Sequence, residues 1–324
     1  MSVSVVLCTY NGERWLPELW RSLLAQTRVP DQIVVRDDAS GDGTFALLQK
    51  LAAEGQARGV DVVLARNERN LGFVGNFASA LADATGEIVF LCDQDDTWRP
   101  RKIALMLESF GRRPGLLLLH TDARLVDEAG HGMRCGLFEA LEVTRRERAL
   151  VHSGRAFDAL LRRNLATGAT LAFRRPLLND AAPFPPEWVH DEWLAIIAAA
   201  TGEVDCLEQP LIDYRQHAGN QIGAQWRGIG QSLARAERAR SPYLAGLITR
   251  TQILLQRARV LEPRFPEARC RTLEQKLAHL RRRNAMPACR ACRLPAILRE
   301  AMAGGYARYA RGTRALAYDL FGRN

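Results

Sequence analysis

The feature that most limits the fold is Ile88-Val-Phe-Leu-Cys92, an unbroken apolar run that stops at Asp93, Asp95 and Asp96, with Pro100 shortly after. A run this short, without polar alternation, fits a strand covered on both faces, as in a parallel sheet flanked by helices. Its end sets three carboxylates at the carboxyl edge of that sheet, where open α/β sheets bind ligands. Carboxylates this close repel one another unless a positive charge lies among them, and hard divalent cations prefer oxygen ligands. The stretch therefore reads in two ways. It is a Mg²⁺ or Mn²⁺ site holding a phosphate-bearing ligand, or it is an acidic turn capping a helix that begins near Pro100, with an Asp or Thr97 as N-cap.

Three further strands precede it: Val3 to Cys8, Gln32 to Arg36 and Val60 to Ala65. Between them lie helical periodicities. Trp15, Leu16, Leu19, Trp20, Leu23 and Leu24 fall on one face of a helix over Glu13 to Gln26, and helices are predicted over Phe45 to Ala53 and Asn76 to Ala84. This β-α-β-α-β-α-β alternation predicts a mostly parallel, doubly wound α/β sheet. Polar residues gather at the strand ends, in Thr9-Tyr-Asn-Gly12, Asp37 to Thr44 and the glycine-bearing loop Asn70 to Gly75. No Gly-x-Gly-x-x-Gly follows the first strand and no Walker loop is present, so the common dinucleotide and triphosphate fingerprints are missing. Asp37 to Thr44 reads either as a turn and N-cap or as a base reader, with Asp37 or Asp38 accepting from a pyrimidine imide N–H.

At 324 residues the chain suits two structural units. Charge divides it in the same way. Residues 221–324 carry 21 Lys and Arg against 6 Asp and Glu, a net +15, whereas residues 1–220 carry 24 against 30, a net −6. The expected division is thus residues 1–220 and a basic helical region, 221–324. No apolar run approaches the ~20 residues that span a bilayer. The first residues lack the basic and long apolar segments of a secretory signal, so a cytoplasmic protein is expected. The seven cysteines, odd in number and mostly in apolar stretches, read as reduced core residues.

Beyond the acidic run, Leu116 to Leu119 is another buried strand, ending at His120-Thr-Asp122, and Asp127 to His131 is a hairpin or turn. The charged stretch Ala140 to Arg148 is expected to form a mobile loop. Trp188-Val-His-Asp-Glu-Trp193 opens a helix over Leu194 to Ala200, for which Asp191 is a plausible N-cap. His120 and His190 read as polar residues near a strand end and a helix start. Tail helices are expected over Ser232 to Leu261, Glu267 to Arg283 and Leu294 to Phe321. Apolar sides come from Ile253, Leu254 and Leu255, from Leu273, Leu277 and Leu280, and from Ile297, Leu298, Met302, Tyr306 and Tyr309. Such basic amphipathic helices can lie on an anionic membrane, and they can also pack as a bundle on the sheet with solvated arginines, the two being compatible. No nucleic-acid-binding motif accompanies the charge. Cys289-x-x-Cys292 lacks the second pair that a structural zinc site needs.

Thr9-Tyr10-Asn11, Asp37-Asp38-x-Ser40-x-Asp42-x-Thr44, Asn70-x-Gly72 and Asp93-x-Asp95-Asp96 stand in the order and spacing of the family-two glycosyltransferases. Over residues 3–220 the chain resembles these inverting, metal-dependent enzymes of nucleotide-diphospho-sugar fold. Its Asp-Gln-Asp-Asp-x-Trp form resembles the bacterial rhamnosyltransferase branch. The resemblance implies a nucleotide-diphospho-sugar donor such as dTDP-rhamnose and a bacterial glycan or lipid-linked glycan acceptor, and the +15 tail is expected to dock on the inner face of the membrane, where such an acceptor lies. It also implies roles: Asp38, Thr9, Tyr10 and Asn11 around base and ribose, Asp93 on the ribose side, Asp95 and His217 on a Mg²⁺ or Mn²⁺ ion, and Asp191 as the catalytic carboxylate. Gly168, in Asn164 to Arg174, and Glu192 fall on the acceptor side, Gly168 allowing close backbone approach. Two other readings remain. A sugar-phosphate nucleotidylyltransferase would want a basic, glycine-rich loop where Thr9-Tyr-Asn-Gly-Glu-Arg14 stands. A non-catalytic membrane or nucleic-acid adaptor would act through the basic tail.

Overall fold

The computed structural model describes residues 1–217 and 240–322. They form two compact units, Met1–Ala156 with the residues from Leu165 to 217, and Phe157–Asn164 with the residues from 240. The expected boundary at 220 and the start of the expected helix at Ser232 lie outside the described residues.

The first unit opens with β1 (Val3–Thr9), α1 (Leu16–Leu24), β2 (Gln32–Asp37), α2 (Thr44–Ala57), β3 (Asp61–Arg66), α3 (Gly72–Leu81) and β4 (Ile88–Asp93). There follow β5 (Thr97–Trp98), α4 (Lys102–Arg112), β6 (Leu116–Val126), β7 (Gly132–Gly136), α5 (Leu137–Ala140), α6 (Arg145–His152), β8 (Leu171–Arg174), α8 (Leu177–Ala181), α9 (His190–Thr201) and β9 (Glu203–Arg215), while α7 (Ala156–Leu160), between α6 and β8, falls from Phe157 onward in the second unit. All nine strands of the described residues share one sheet, in the order β3-β2-β1-β4-β8-β6-β9-β5, with β7 paired to β6. The first four strands are mutually parallel. β8 runs antiparallel to both β4 and β6, and β9 runs parallel to β6.

Every residue of β1 is buried, which is why its sequence is apolar without alternation. Val3, Val5 and Leu7 join Ile33, Val35, Ile88 and Phe90 in one core with the α1 stripe Leu16, Leu19, Trp20 and Leu23. Each such side chain contributes roughly 1.5–3 kcal/mol by leaving water. The register then sets the site. Thr9 pairs with Asp37 on one side of β1, and Cys8 pairs with Asp93 on the other. The acidic ends of β2 and β4 thus flank the end of β1, at the point where the strand order reverses and a crevice opens.

Several local expectations are corrected. Thr97 does not cap a helix. It pairs with Asp213 in β5, and α4 starts after Arg101 with no side-chain cap. The stretch over 140–148 is not a loop throughout, because Thr144 and Glu147 form a reciprocal capping box that starts α6. α3 begins at Gly72, inside the expected loop. β9 was not expected as a strand. Its Pro210 sits where the β6–β9 register shifts, a place where a missing N–H costs no ladder bond.

The second unit is helical: α10 (Arg240–Val260), α11 (Glu267–Asn284), α12 (Arg290–Met302), α13 (Gly305–Tyr309) and α14 (Thr313–Phe321). The expected helix over 294–321 is broken at Gly304 and Gly312, whose φ values of 73° and 57° suit glycine. Leu254, Leu255, Leu273, Leu277, Leu280, Ile297 and Tyr306 are buried, as an inward apolar side requires. The arginines are not all solvated. Arg240, Arg283 and Arg293 are fully buried. Arg283 donates to both carboxylate oxygens of Asp319 (2.6 and 3.1 Å), and Tyr306 adds its hydroxyl at 2.7 Å. Arg293 donates to the carbonyls of Pro287, Ala288, Asp319 and Gly322. Cys8, Cys92, Cys135 and Cys206 are buried as expected, but Cys289 and Cys292 are exposed. No described helix is long and apolar enough to cross a membrane.

Candidate active site

The β1–α1 turn is held from two directions. Thr9 donates its hydroxyl to Asp37 (3.1 Å), whose other oxygen accepts from the Ser40 N–H (3.0 Å). Asn11 adopts φ 49°, tolerated by Asn, and its N–H donates to Ser40 Oγ at 2.9 Å. Gln94, between the β4 carboxylates, brackets Tyr10: its Oε1 accepts from the Tyr10 N–H (2.8 Å) and its amide donates to the Tyr10 carbonyl (3.0 Å). The Tyr10 side chain stays exposed. Asp38 is buried, and its Oδ1 accepts from the Asn67 amide and the Leu71 N–H, both at 2.8 Å. A base reader here would have to use Oδ2.

At the end of β4 the carboxylates crowd together. His217 Nε2 and Asp95 Oδ2 share a hydrogen bond of 2.8 Å, and the His217 ring stacks on Trp15 at 5.3 Å. Arg215 ties the arrangement down. It donates its N–H to Asp96 Oδ1 (3.0 Å), its Nε to the Asp95 carbonyl (2.9 Å) and Nη2 to Glu18 (2.8 Å). Asp96 is fully buried with Oδ2 lacking a hydrogen-bond partner, and burial followed by the charges of Asp95 and Asp93 pushes its carboxyl well up. Asp93 is partly exposed. Burial, then Asp95 and Asp191, raise it to about 7.

Asp191 is not the cap of α9. Val189 occupies that position with no side-chain bond, and Asp191 lies within the first turn. Its Oδ2 accepts from the Gly168 N–H (2.8 Å) and its Oδ1 from the Glu192 N–H (2.6 Å). Burial, then the neighbouring Glu192, pushes the carboxyl up to about 7. Gly168 is close-packed here: a Cβ would lie 3.3 Å from His190 Nε2 and 3.6 Å from Asp191 Oδ2. Glu192 is partly exposed. His190 stacks on Phe77 at 4.0 Å with both ring nitrogens buried and unpartnered, and burial lowers it to about 3. It is a neutral core histidine.

Three further residues join this site. Tyr214 is buried within the field of Asp96, Asp93, Asp95 and Asp191, and burial first, then those charges, hold its phenol well above the usual range. Gln94 is the bracket described above. Lys102 is fully buried, with Nζ 3.7 Å from the Trp98 ring centroid and donating to the Ala169 carbonyl at 2.7 Å. It is thereby coupled through Ala169 and Gly168 to Asp191. Lys102→Met should leave that carbonyl unpaired and Asp93 and Asp96 without a nearby cation. We expect a loss of about 1–3 kcal/mol in denaturant unfolding, and an unchanged midpoint would contradict the positioning role.

A parallel core extended by antiparallel strands, with carboxylates and a histidine at the carboxyl ends of its central strands, defines a nucleotide-sugar transferase fold of GT-A type. Solved structures agree. The S. aureus TarS 1-349 complex with UDP-GlcNAc superposes with a TM-score of 0.57 at 17% identity, covering 98% of this chain and 90% of that one. A mannosyltransferase from Pyrobaculum calidifontis, in complex with GDP-Man and Mn²⁺, gives 0.52 at 21%, covering 98% and 84%. Residues 4–153 match the family model of glycosyl transferase family 2. An uncharacterized glycosyltransferase of Nostoc sp. is 29% identical over 231 residues, 68% of this chain and 66% of that protein. The chain spans no more than two thirds of the length of the curated relatives it matches first.

Proposed function

We propose that the protein is an inverting, metal-dependent glycosyltransferase. It moves a sugar from a nucleotide-diphosphate donor to a hydroxyl of a bacterial cell-surface glycan precursor. Rhamnose from dTDP-rhamnose is the donor that Asp-Gln-Asp-Asp-x-Trp98 suggests. The observation that carries the reading is the pairing of a carboxylate cluster at the end of β4 with Asp191, held by two backbone N–H groups and close enough for its charge to act on Asp93. Asp191 would accept the acceptor hydroxyl's proton as that oxygen attacks the anomeric carbon. Both carboxylate oxygens are aimed by N–H donors, so the base is positioned before substrate arrives. The single displacement inverts the anomeric centre, and Gly168 and Glu192 border the acceptor. Thr9, Tyr10, Asn11, Asp38 and Asp93 line the base and ribose side.

Asp95 and His217 fit a divalent cation. Their donor atoms are 2.8 Å apart, near the ~2.9 Å between adjacent corners of an octahedron with 2.0–2.1 Å bonds. Two protein ligands suit Mg²⁺ or Mn²⁺, which take their remaining oxygens from substrate phosphates and water. The buried Asp96 Oδ2, which has no hydrogen-bond partner, supports a cation or donor group binding beside this cluster. When bound, the cation neutralises charge developing on the leaving diphosphate. Thermal shift with Mn²⁺ and dTDP, UDP or GDP tests the binding step. One pair at a hundredfold excess over its Kd should stabilise by ~2.7 kcal/mol. No shift with any pair would favour the adaptor reading.

We further propose that the second unit docks on the inner face of the cell membrane, where a lipid-linked acceptor would lie. Leu294, Leu298 and Met302 recur every four residues along α12 and are exposed by 44%, 58% and 84%, with Arg290 and Arg299 exposed on the same helix. An apolar stripe flanked by arginine complements an anionic lipid surface. Liposome co-sedimentation should show binding to anionic vesicles that weakens with salt and is lost in Leu298→Ser/Met302→Ser. Equal binding to neutral vesicles, or none to either, would refute docking and leave the catalytic reading untouched.

A further inference from the structure

We propose a second metal site, for a zinc-class divalent ion, built from His152 at the end of α6 and from Cys206 and Glu208 on β9, with Asp205 orienting the imidazole. The donor atoms of His152, Asp205 and Cys206 all lie within 4.8 Å of one another, the one group of three or more such residues brought together in this way among the described residues. The two ring nitrogens are already divided between roles. Nδ1 lies 2.7 Å from Asp205 Oδ1, whereas Nε2 lies 3.9 Å from Cys206 Sγ and 3.4 Å from Glu208 Oε1.

A carboxylate on Nδ1 fixes the tautomer that leaves Nε2 as a bare donor, the arrangement by which metal-bound histidines are held. Tetrahedral zinc with bonds of 2.0–2.1 Å to nitrogen and oxygen and 2.3 Å to sulfur has N···S and N···O edges of about 3.6 and 3.4 Å. The observed Nε2–Sγ separation exceeds that edge by about 0.3 Å, and the Nε2–Oε1 separation matches it. Thiolate, imidazole and carboxylate are the donor types zinc selects over magnesium. The three donors leave the fourth position to water.

The surroundings fit as well. Arg113 pairs with Asp205 and Arg148 with Glu208, and each carboxylate keeps an oxygen toward His152. Cys206 is buried, with its Sγ on the Nε2 side of the imidazole. Binding forms a metal–sulfur bond as the thiol proton leaves to solvent. The ion would clip the end of α6 to β9, away from the Asp95–His217 pair in sequence and chemistry.

The test titrates Co²⁺, then Zn²⁺, into the full-length protein carrying Cys289→Ser/Cys292→Ser, which removes the two exposed thiols. One equivalent of Co²⁺ should give a thiolate-to-cobalt absorption band that Zn²⁺ erases. The band should vanish in Cys206→Ser and in His152→Ala, the latter on a half-exposed side chain whose loss leaves the fold intact. It should persist in Asp95→Ala, which separates this site from the donor-binding cation. Zn²⁺ should also slow alkylation of Cys206 at least tenfold. No band, a band surviving in Cys206→Ser or His152→Ala, or alkylation indifferent to Zn²⁺ would overturn the proposal.

Discussion

Asp191→Asn is expected to lower turnover by ~10²–10⁴ while donor affinity is unchanged, because an amide cannot accept the acceptor's proton and the donor contacts lie elsewhere. Stability separates this outcome from misfolding. Each Asp191 oxygen accepts one N–H, and Asn offers a single acceptor, so one donor is left facing an NH₂ at a cost of about 1–3 kcal/mol. The opposing term is larger above neutrality. A carboxyl raised from 3.8 to about 7 destabilises the folded, ionised state by roughly 4 kcal/mol relative to a neutral side chain. Between those pH values the native state binds the proton and the unfolded chain does not, so this part of wild-type stability falls as pH rises. The variant lacks the effect. Asp191→Asn should therefore be at least as stable as wild type at pH 8, the advantage disappearing toward pH 5. Wild-type turnover should rise with pH up to an inflection at about 7, or lower once a bound cation adds positive charge. Glu192→Gln, which removes a like charge beside Asp191, should cost little and shift that inflection downward. Normal turnover in Asp191→Asn with loss in Glu192→Gln would reassign the base.

Asp95→Ala should abolish metal-dependent nucleotide binding, and His217→Ala should weaken it. Removing Asp95 deletes one of two proposed ligands and a like charge that raises Asp93 and Asp96. The Asp95 carbonyl still accepts from Arg215, so the turn keeps its anchor. The metal-free variant should consequently melt no lower than wild type, yet show no added stabilisation with Mn²⁺ and nucleoside diphosphate. Calorimetric titration with and without Mn²⁺ measures this directly. A fully active Asp95→Ala enzyme, or full wild-type activity in EDTA, would falsify the metal assignment.

The core of the fold was legible because β1, β2 and β4 are covered on both faces and so read as continuous apolar runs. β9 was not, since Asp205, Glu208, Gln209 and Asp213 interrupt it and Pro210 suggests a break. Thr144-Arg-Arg-Glu147 did carry a capping-box signal for α6, hidden by the charge around it. In the site, contiguity decided what could be seen. Asp93, Asp95 and Asp96 announce themselves as neighbours in sequence, whereas Lys102 looks like a solvated first-turn lysine until Trp98 and Ala169 close over it. Asp191 had an ordinary explanation as a cap, which Val189 in that position and the bond from Gly168 remove. Trp15 and Arg215, which set His217 in place, are 200 residues apart and can be joined only by the sheet.

The measurement that bears most directly on the proposed chemistry is a donor screen read out as nucleoside diphosphate released from dTDP-, UDP- and GDP-sugars, with Mn²⁺ and with EDTA. One donor class should be consumed in Mn²⁺, with release lost in EDTA and in Asp95→Ala and reduced ~10²–10⁴ in Asp191→Asn. A folded protein that releases no nucleoside diphosphate from any donor, or releases it equally in EDTA, would contradict a metal-dependent glycosyltransferase.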